Sequence, residues 1–275
     1  MIIEALQSTL IQFFVLLGPG LMLAYLMNLV AGGVELKAYQ VLGRKIYLWG
    51  FGWLGTMIHE LGHAIMCVLF GHKIQKMVLF NPDPNSPSLG SVEHSHNPKN
   101  FYHIIGNFFI GIGPIILGTL VIYTISLFLL PESFNNYARN LKITHEVLLG
   151  WNSIKEFGWD VYRVFQKFLS DSFTTEALSN WKIYVFCYLL FCIGSSMKLS
   201  SSDIKSAVHG FLVILGLAFL INLTLIYLDL TGKVDEFLSL ATCLSAFYLT
   251  MLFALILNIL VLLSLSAIHS VKSLF

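Results

Sequence analysis

Charge is what this sequence has least of: 11% of its 275 residues are Asp, Glu, Lys or Arg, against about 25% in an average soluble chain. No long block of Lys or Arg occurs and the net charge is +1, so there is no basic footprint for nucleic acid, and that partner class is set aside. Cysteine is also scarce. Cys67, Cys187, Cys192 and Cys243 all lie in apolar stretches, without the paired polar-loop spacing of a disulfide framework or a cysteine zinc site. The stretch Met1 to Gln7 holds Glu4 but no Lys or Arg. It therefore lacks the basic n-region of a secretory signal, and the first apolar run is expected to be retained as a membrane span.

What is plentiful is apolar: 56% of residues are hydrophobic and 22 are Phe. A soluble fold of this length could not hide that much apolar surface. The expected fold class is an all-α integral membrane protein, multi-pass and in the cell membrane. A hydrocarbon core of about 30 Å takes roughly 20 helical residues. Six candidates appear: about Thr9 to Ala31, Ile46 to Phe70, Tyr102 to Leu130, the short Trp181 to Ser196, Ala207 to Leu228 and Phe237 to Ala267. The first and third contain Gly18-Pro19-Gly20 and Gly113-Pro114, where breaks or kinks are expected. Lys and Arg are more frequent in the connections after spans one, three and five, which puts both termini outside by the positive-inside rule.

Two connections have a character of their own. His72 to Phe80 is too short and too charged to span, and the turn-rich Asn81 to Ser86-Pro87 leads from it to Gly90-Ser91-Val92-Glu93-His94. Two short strands joined by a loop, a membrane-associated β-hairpin, are expected. From about Pro131 to Asn180, aromatic and aliphatic residues such as Trp151, Phe157, Trp159 and Phe165 alternate with Lys155, Glu156, Asp160 and Arg163. That pattern reads either as an amphipathic interfacial helix or as an ordinary amphipathic helix packed on the membrane core.

Chemistry concentrates at His59-Glu60-Leu61-Gly62-His63. Residues four apart stack on one helix face about 6 Å apart along the axis, so both imidazoles can reach one Zn2+ at about 2.0 to 2.1 Å. Glu60 is then positioned to take a proton from water that the metal has acidified. With nine His and nine Glu in the chain, chance would produce such a string about once in a hundred sequences of this composition. Its location strengthens it, because three ionisable residues within five positions of an apolar span are costly unless they are used. The competing reading is a polar contact between helices of a transporter or scaffold, with the His and Glu serving an ion pathway in the first case.

The motif, continued through Leu69-Phe70-Gly71-His72-Lys73-Ile74, the strand-like Gly90 to His94 and the Gly/Pro-bearing third span, resembles the site-2-type intramembrane zinc metalloproteases (peptidase family M50) over about residues 50 to 120, as a divergent member. The resemblance implies a single polytopic domain over residues 1–275, with its zinc-motif core at about 46–130, the amphipathic connection at about 131–180 and C-terminal spans at about 181–267. It implies a Zn2+ cofactor, a transmembrane or membrane-proximal protein substrate within the lipid bilayer, and the Gly90 to His94 strand as a docking edge. Asn107 would hold substrate or oxyanion, or bridge two helices.

A catalytic zinc needs three protein ligands and one open position. The family's third ligand is an Asp in a Pro-x-x-Asp-Gly-like context, and this sequence has no such string. Asp203, in a polar turn feeding the fifth span, is the preferred metal ligand, although the same Ser/Asp turn reads as a helix N-cap. Asp229 is the alternative, with a solvated span end as its plainer reading, and Asp235 and Glu236 follow it. His72, His94, His96 and His103 crowd one connection, where a second metal site or interfacial polar residues would both fit.

Overall fold

The computed structural model describes residues 1–83, 86, 88–132, 159, 162, 163, 165–171, 174, 179–230 and 244–273. The amphipathic segment expected in the 131–180 connection falls mostly outside the described residues, as do Asp235, Glu236 and the start of the sixth expected span.

The chain is mostly helical. Helix α1 (Ile2–Leu42) is followed by α2 (Arg44–Tyr47), a π turn (Leu48–Gly52) and α3 (Trp53–Leu69). Strands β1 (Lys73–Val78) and β2 (Ser91–Ser95) precede α4 (Phe101–Leu129), and α5 (Trp181–Gly194), α6 (Ser201–Tyr227) and α7 (Ser245–Lys272) complete the described elements. Four of these, α1, α4, α6 and α7, are long and apolar enough to cross a membrane. The second expected span, about Ile46 to Phe70, is the helical run Arg44 to Leu69, shared among α2, the π turn and the 17-residue α3, and the fourth is the short α5 of 14 residues, about 21 Å of rise. Large apolar side chains point outward along the long helices, including Ile3 at 73% exposed, Phe128 at 71% and Leu263 at 62%. Apolar surface on that scale belongs against lipid or protein rather than water.

Neither Gly/Pro site interrupts its helix. α1 runs through Pro19 and α4 through Pro114. A proline removes one N–H and orphans the carbonyl four residues earlier, which an apolar helix tolerates when another group takes up that carbonyl. In α4 the orphan is Ile110, and its new partner belongs to the candidate site.

Helix α3 ends in a Schellman turn. Gly71 adopts φ 70, its N–H donates to the Val68 carbonyl at 3.2 Å and the His72 N–H donates to the Cys67 carbonyl at 2.8 Å. The chain leaves that turn directly into β1, which pairs antiparallel with β2, Lys73 opposite Ser95 and Val78 opposite Ser91. Gln75 is the extra residue of a bulge between Ile74 and Lys76. The expected hairpin is therefore present.

By contacts the chain divides into two compact units. In the unit of residues 1–22, 123–186 and 214–250, Asn222 of α6 donates to Thr9 Oγ1 and Gln12 Oε1 of α1, both at 2.8 Å. Such amide contacts fix the rotation of one apolar helix against another. The unit of residues 23–122, 187–213 and 251–275 has a core of Val34, Ala38, Tyr47, Leu48, Phe191 and Leu265, and it contains the candidate site.

Candidate metal centre

The two motif histidines face each other on α3, Nε2 to Nε2 at 3.3 Å. Each is anchored from behind. His59 Nδ1–H donates to the Ser196 carbonyl and His63 Nδ1–H to the Ile110 carbonyl, both at 2.8 Å. A carbonyl only accepts, so both rings carry their proton on Nδ1 and both facing Nε2 atoms are bare lone pairs. Two bare nitrogens at this distance repel unless a cation lies between them. Both carbonyls are free to accept for local reasons: Pro114 has no N–H for Ile110, and Ser196 lies beyond the end of α5, where carbonyls lose their helical partners.

Asp203 completes a triangle. Its Oδ1 lies 3.5 Å from His63 Nε2, and the ligand atoms of His59, His63 and Asp203 all lie within 4.8 Å of one another. Ligands at about 2.0 to 2.1 Å from a tetrahedral ion are about 3.3 to 3.4 Å apart, close to the two measured separations. Asp203 also closes a capping box at the start of α6: its N–H donates to Ser200 Oγ at 3.2 Å and its Oδ2 accepts the Ser200 N–H at 2.7 Å. The N-cap and ligand readings of this residue are therefore compatible. One carboxylate oxygen serves the cap, and the other faces the histidines.

The helices can come this close because three contact points have no side chain. A Cβ on Gly62 would fall 2.7 Å from the Gly113 backbone of α4, one on Gly55 would fall 2.1 Å from the Cys192 carbonyl of α5, and one on Gly111 would fall 2.6 Å from the Asp203 carbonyl of α6. A fourth, Gly90, brings the hairpin to the site: a Cβ there would lie 2.6 Å from Glu60 Cγ. The buried Glu60 thus sits beneath the residue that leads into β2.

Sequence reasoning missed the residues that act from behind. The Ser196 and Ile110 carbonyls belong to no motif. Glu35 of α1 pairs with Lys198 at 2.5 Å and accepts the Tyr39 hydroxyl at 2.6 Å. That ion pair tethers the turn carrying Ser196 and Ser200. The available signal was a lone carboxylate in the apolar run Leu29 to Leu36.

Asp229 ends α6 in a left-handed conformation at φ 57, and it belongs to neither cluster of ligand-type side chains found among the described residues. Asn107 is buried, with Nδ2 3.3 Å from His96 Nε2. The second cluster is His72, His94 and His96. Burial first, then the neighbouring His72 and His96, hold His94 down at about 4, so this ring is neutral at ordinary pH.

The Peptidase M50B-like family model matches residues 34–127, in agreement with the site-2-type resemblance. The matched segment, about a third of the chain, takes in Glu35, the histidine motif, the hairpin and most of α4, and the match suggests a metallopeptidase. No curated protein and no solved structure matches the chain.

Proposed function

We propose that the chain is an intramembrane zinc endopeptidase that cleaves transmembrane or membrane-proximal protein substrates as a multi-pass protein of the cell membrane. The observation that carries this reading is the pair of bare Nε2 atoms of His59 and His63 at 3.3 Å, with Asp203 Oδ1 3.5 Å from the second. His59, His63 and Asp203 hold the ion in this reading, and their three-ligand set leaves a fourth position open. Bound zinc supplies Lewis acidity, which polarises the scissile carbonyl and acidifies water. Glu60 accepts the proton of the attacking water and returns it to the departing amine nitrogen. The Nδ1 anchors keep both imidazoles in the ligating tautomer.

Substrate docks by strand addition. β2 has one ladder neighbour, β1, so its other edge is unpaired among the described residues. An unwound substrate segment on that edge gains main-chain hydrogen bonds, and the close approach of Gly90 to Glu60 sets the start of the strand beside the general base. The test is Glu60→Gln in the full chain with a reporter membrane substrate: zinc content is expected to stay while cleavage disappears. Undiminished cleavage would sink the proposal. Ion flux that depends on His59, without peptide hydrolysis, would replace it with the transporter reading, and a chain without stoichiometric zinc would replace it with a silent scaffold.

A further inference from the structure

Outside the His59–His63 centre, four histidines gather at the base of the hairpin. His72 follows the Schellman turn, and its Nε2–H donates to the His103 carbonyl at 2.9 Å. The acceptor fixes the tautomer, so Nδ1 of His72 is a bare lone pair. That atom faces His94 Nδ1 at 3.1 Å. Two imidazole nitrogens at this separation share either one proton or one cation, and the distance is close to the about 3.3 Å between tetrahedral zinc ligands. His96 stacks on His72 with centroids 4.8 Å apart, and one nitrogen from each of His72, His94 and His96 lies within 4.8 Å of the others. His96 is exposed, whereas His72 is buried.

The surroundings discriminate among donors. His103 Nδ1 accepts the Asn97 N–H at 3.2 Å, so His103 contributes its backbone carbonyl to His72 rather than a ring nitrogen to the cluster. The Asn107 amide has its Nδ2 3.3 Å from His96 Nε2 and a buried Oδ1 without a partner. Turning that amide end for end sets the oxygen against His96 Nε2–H and leaves His96 Nδ1 bare. His72 already has this arrangement, a far ring nitrogen held by an oxygen acceptor, as do His59 and His63.

We propose that His72, His94 and His96 form a second metal site, for a divalent ion of the borderline class such as zinc, with its remaining position left to water. An all-imidazole donor set without carboxylate or thiolate disfavours magnesium and calcium and suits zinc, copper or nickel. The ion clamps the residue before β1 to β2, across 22 residues of chain, and so holds the strand that starts beside Glu60. This site does not depend on the assignment of His59 and His63.

The test uses the full chain purified in detergent and Zn2+ alone as the probe. In a His59→Asn/His63→Asn background one equivalent of zinc is expected still to bind, and to slow amide exchange across residues 73–95 by about tenfold or more. Adding His94→Asn is expected to abolish both effects. Since changes at the buried end of the cluster can disturb the hairpin itself, the exposed His96→Ala is the second variant. It is expected to weaken zinc binding about tenfold or more, with exchange in the metal-free protein unchanged. No zinc bound in the double-Asn background, or binding indifferent to both His94 and His96, overturns the proposal.

Discussion

Pro114→Ala should make the metal-free protein more stable and the metal site weaker. Alanine at 114 restores an N–H four residues after Ile110, aimed at the carbonyl that His63 Nδ1–H occupies at 2.8 Å. Relief of an interior proline favours the helix by up to about 3 kcal/mol. The realised gain is smaller here, because α4 already runs unbroken through the site. The imidazole now competes for its anchor. Loss of a group that orients a metal-bound histidine costs about 10- to 100-fold in affinity, or about 1.4 to 2.7 kcal/mol. A carbonyl has a second lone pair, so the tenfold end is expected. Zinc affinity is read by competition with a chromophoric chelator, and stability by thermal unfolding after the metal is stripped. Unchanged zinc affinity in a variant with a raised metal-free melting temperature would refute the role given to the orphaned carbonyl.

The other predictions concern the same frame. Asp203→Asn keeps an oxygen for the Ser200 N–H but removes the carboxylate charge. Zinc binding should therefore fall far more than stability does, while Ser200→Ala should cost about 1 kcal/mol of stability and only about tenfold in zinc affinity; equal zinc loss in the two variants would contradict the division of labour between the oxygens. Glu35→Gln should lower cleavage with a stability change within about 1 kcal/mol, since Lys198 is 41% exposed and Glu35 27%, and an unaffected cleavage rate would show the tether to be idle. Gly90→Val places carbon 2.6 Å from Glu60 Cγ and should abolish cleavage with zinc content retained, as read by metal analysis beside a reporter assay. Chelation should lower the unfolding temperature, with zinc at 100 times its Kd restoring about 2.7 kcal/mol; a melting curve indifferent to chelator would count against any bound ion.

Local chemistry was legible in the sequence, and contacts between distant segments were not. The spacing of His59 and His63 fixes their common helix face, and the Ser/Asp turn at Asp203 reads as the N-cap of a helix; each is settled within a few residues of chain. The hairpin was readable for the same reason, though the Gln75 bulge was not. By contrast, His59 meets Ser196 across 137 residues, His63 meets Ile110 across 47, and Lys198 meets Glu35 across 163. No periodicity encodes such pairings. Pro114 misled for a related reason: read alone it signals a kink, and only the histidine from another helix shows why the helix can continue. The second expected span, about Ile46 to Phe70, matches the continuous helical run Arg44 to Leu69, but the π turn inside it was not legible, because mean hydropathy registers composition and not helical period.

The capping box at Asp203 also has a consequence for the order of assembly. Ser200 and Asp203 are three residues apart, so their reciprocal bonds close as soon as α6 begins, whereas the histidines must come from the far side of a long loop. The cap bonds fix the carboxylate's rotamer without help from the other two corners. An ion entering the triangle then finds its third ligand already aimed, and the entropy of ordering that side chain has been lost at helix formation rather than at binding. Position 203 therefore meets two physical demands at once, one oxygen starting a helix and the other facing the histidines.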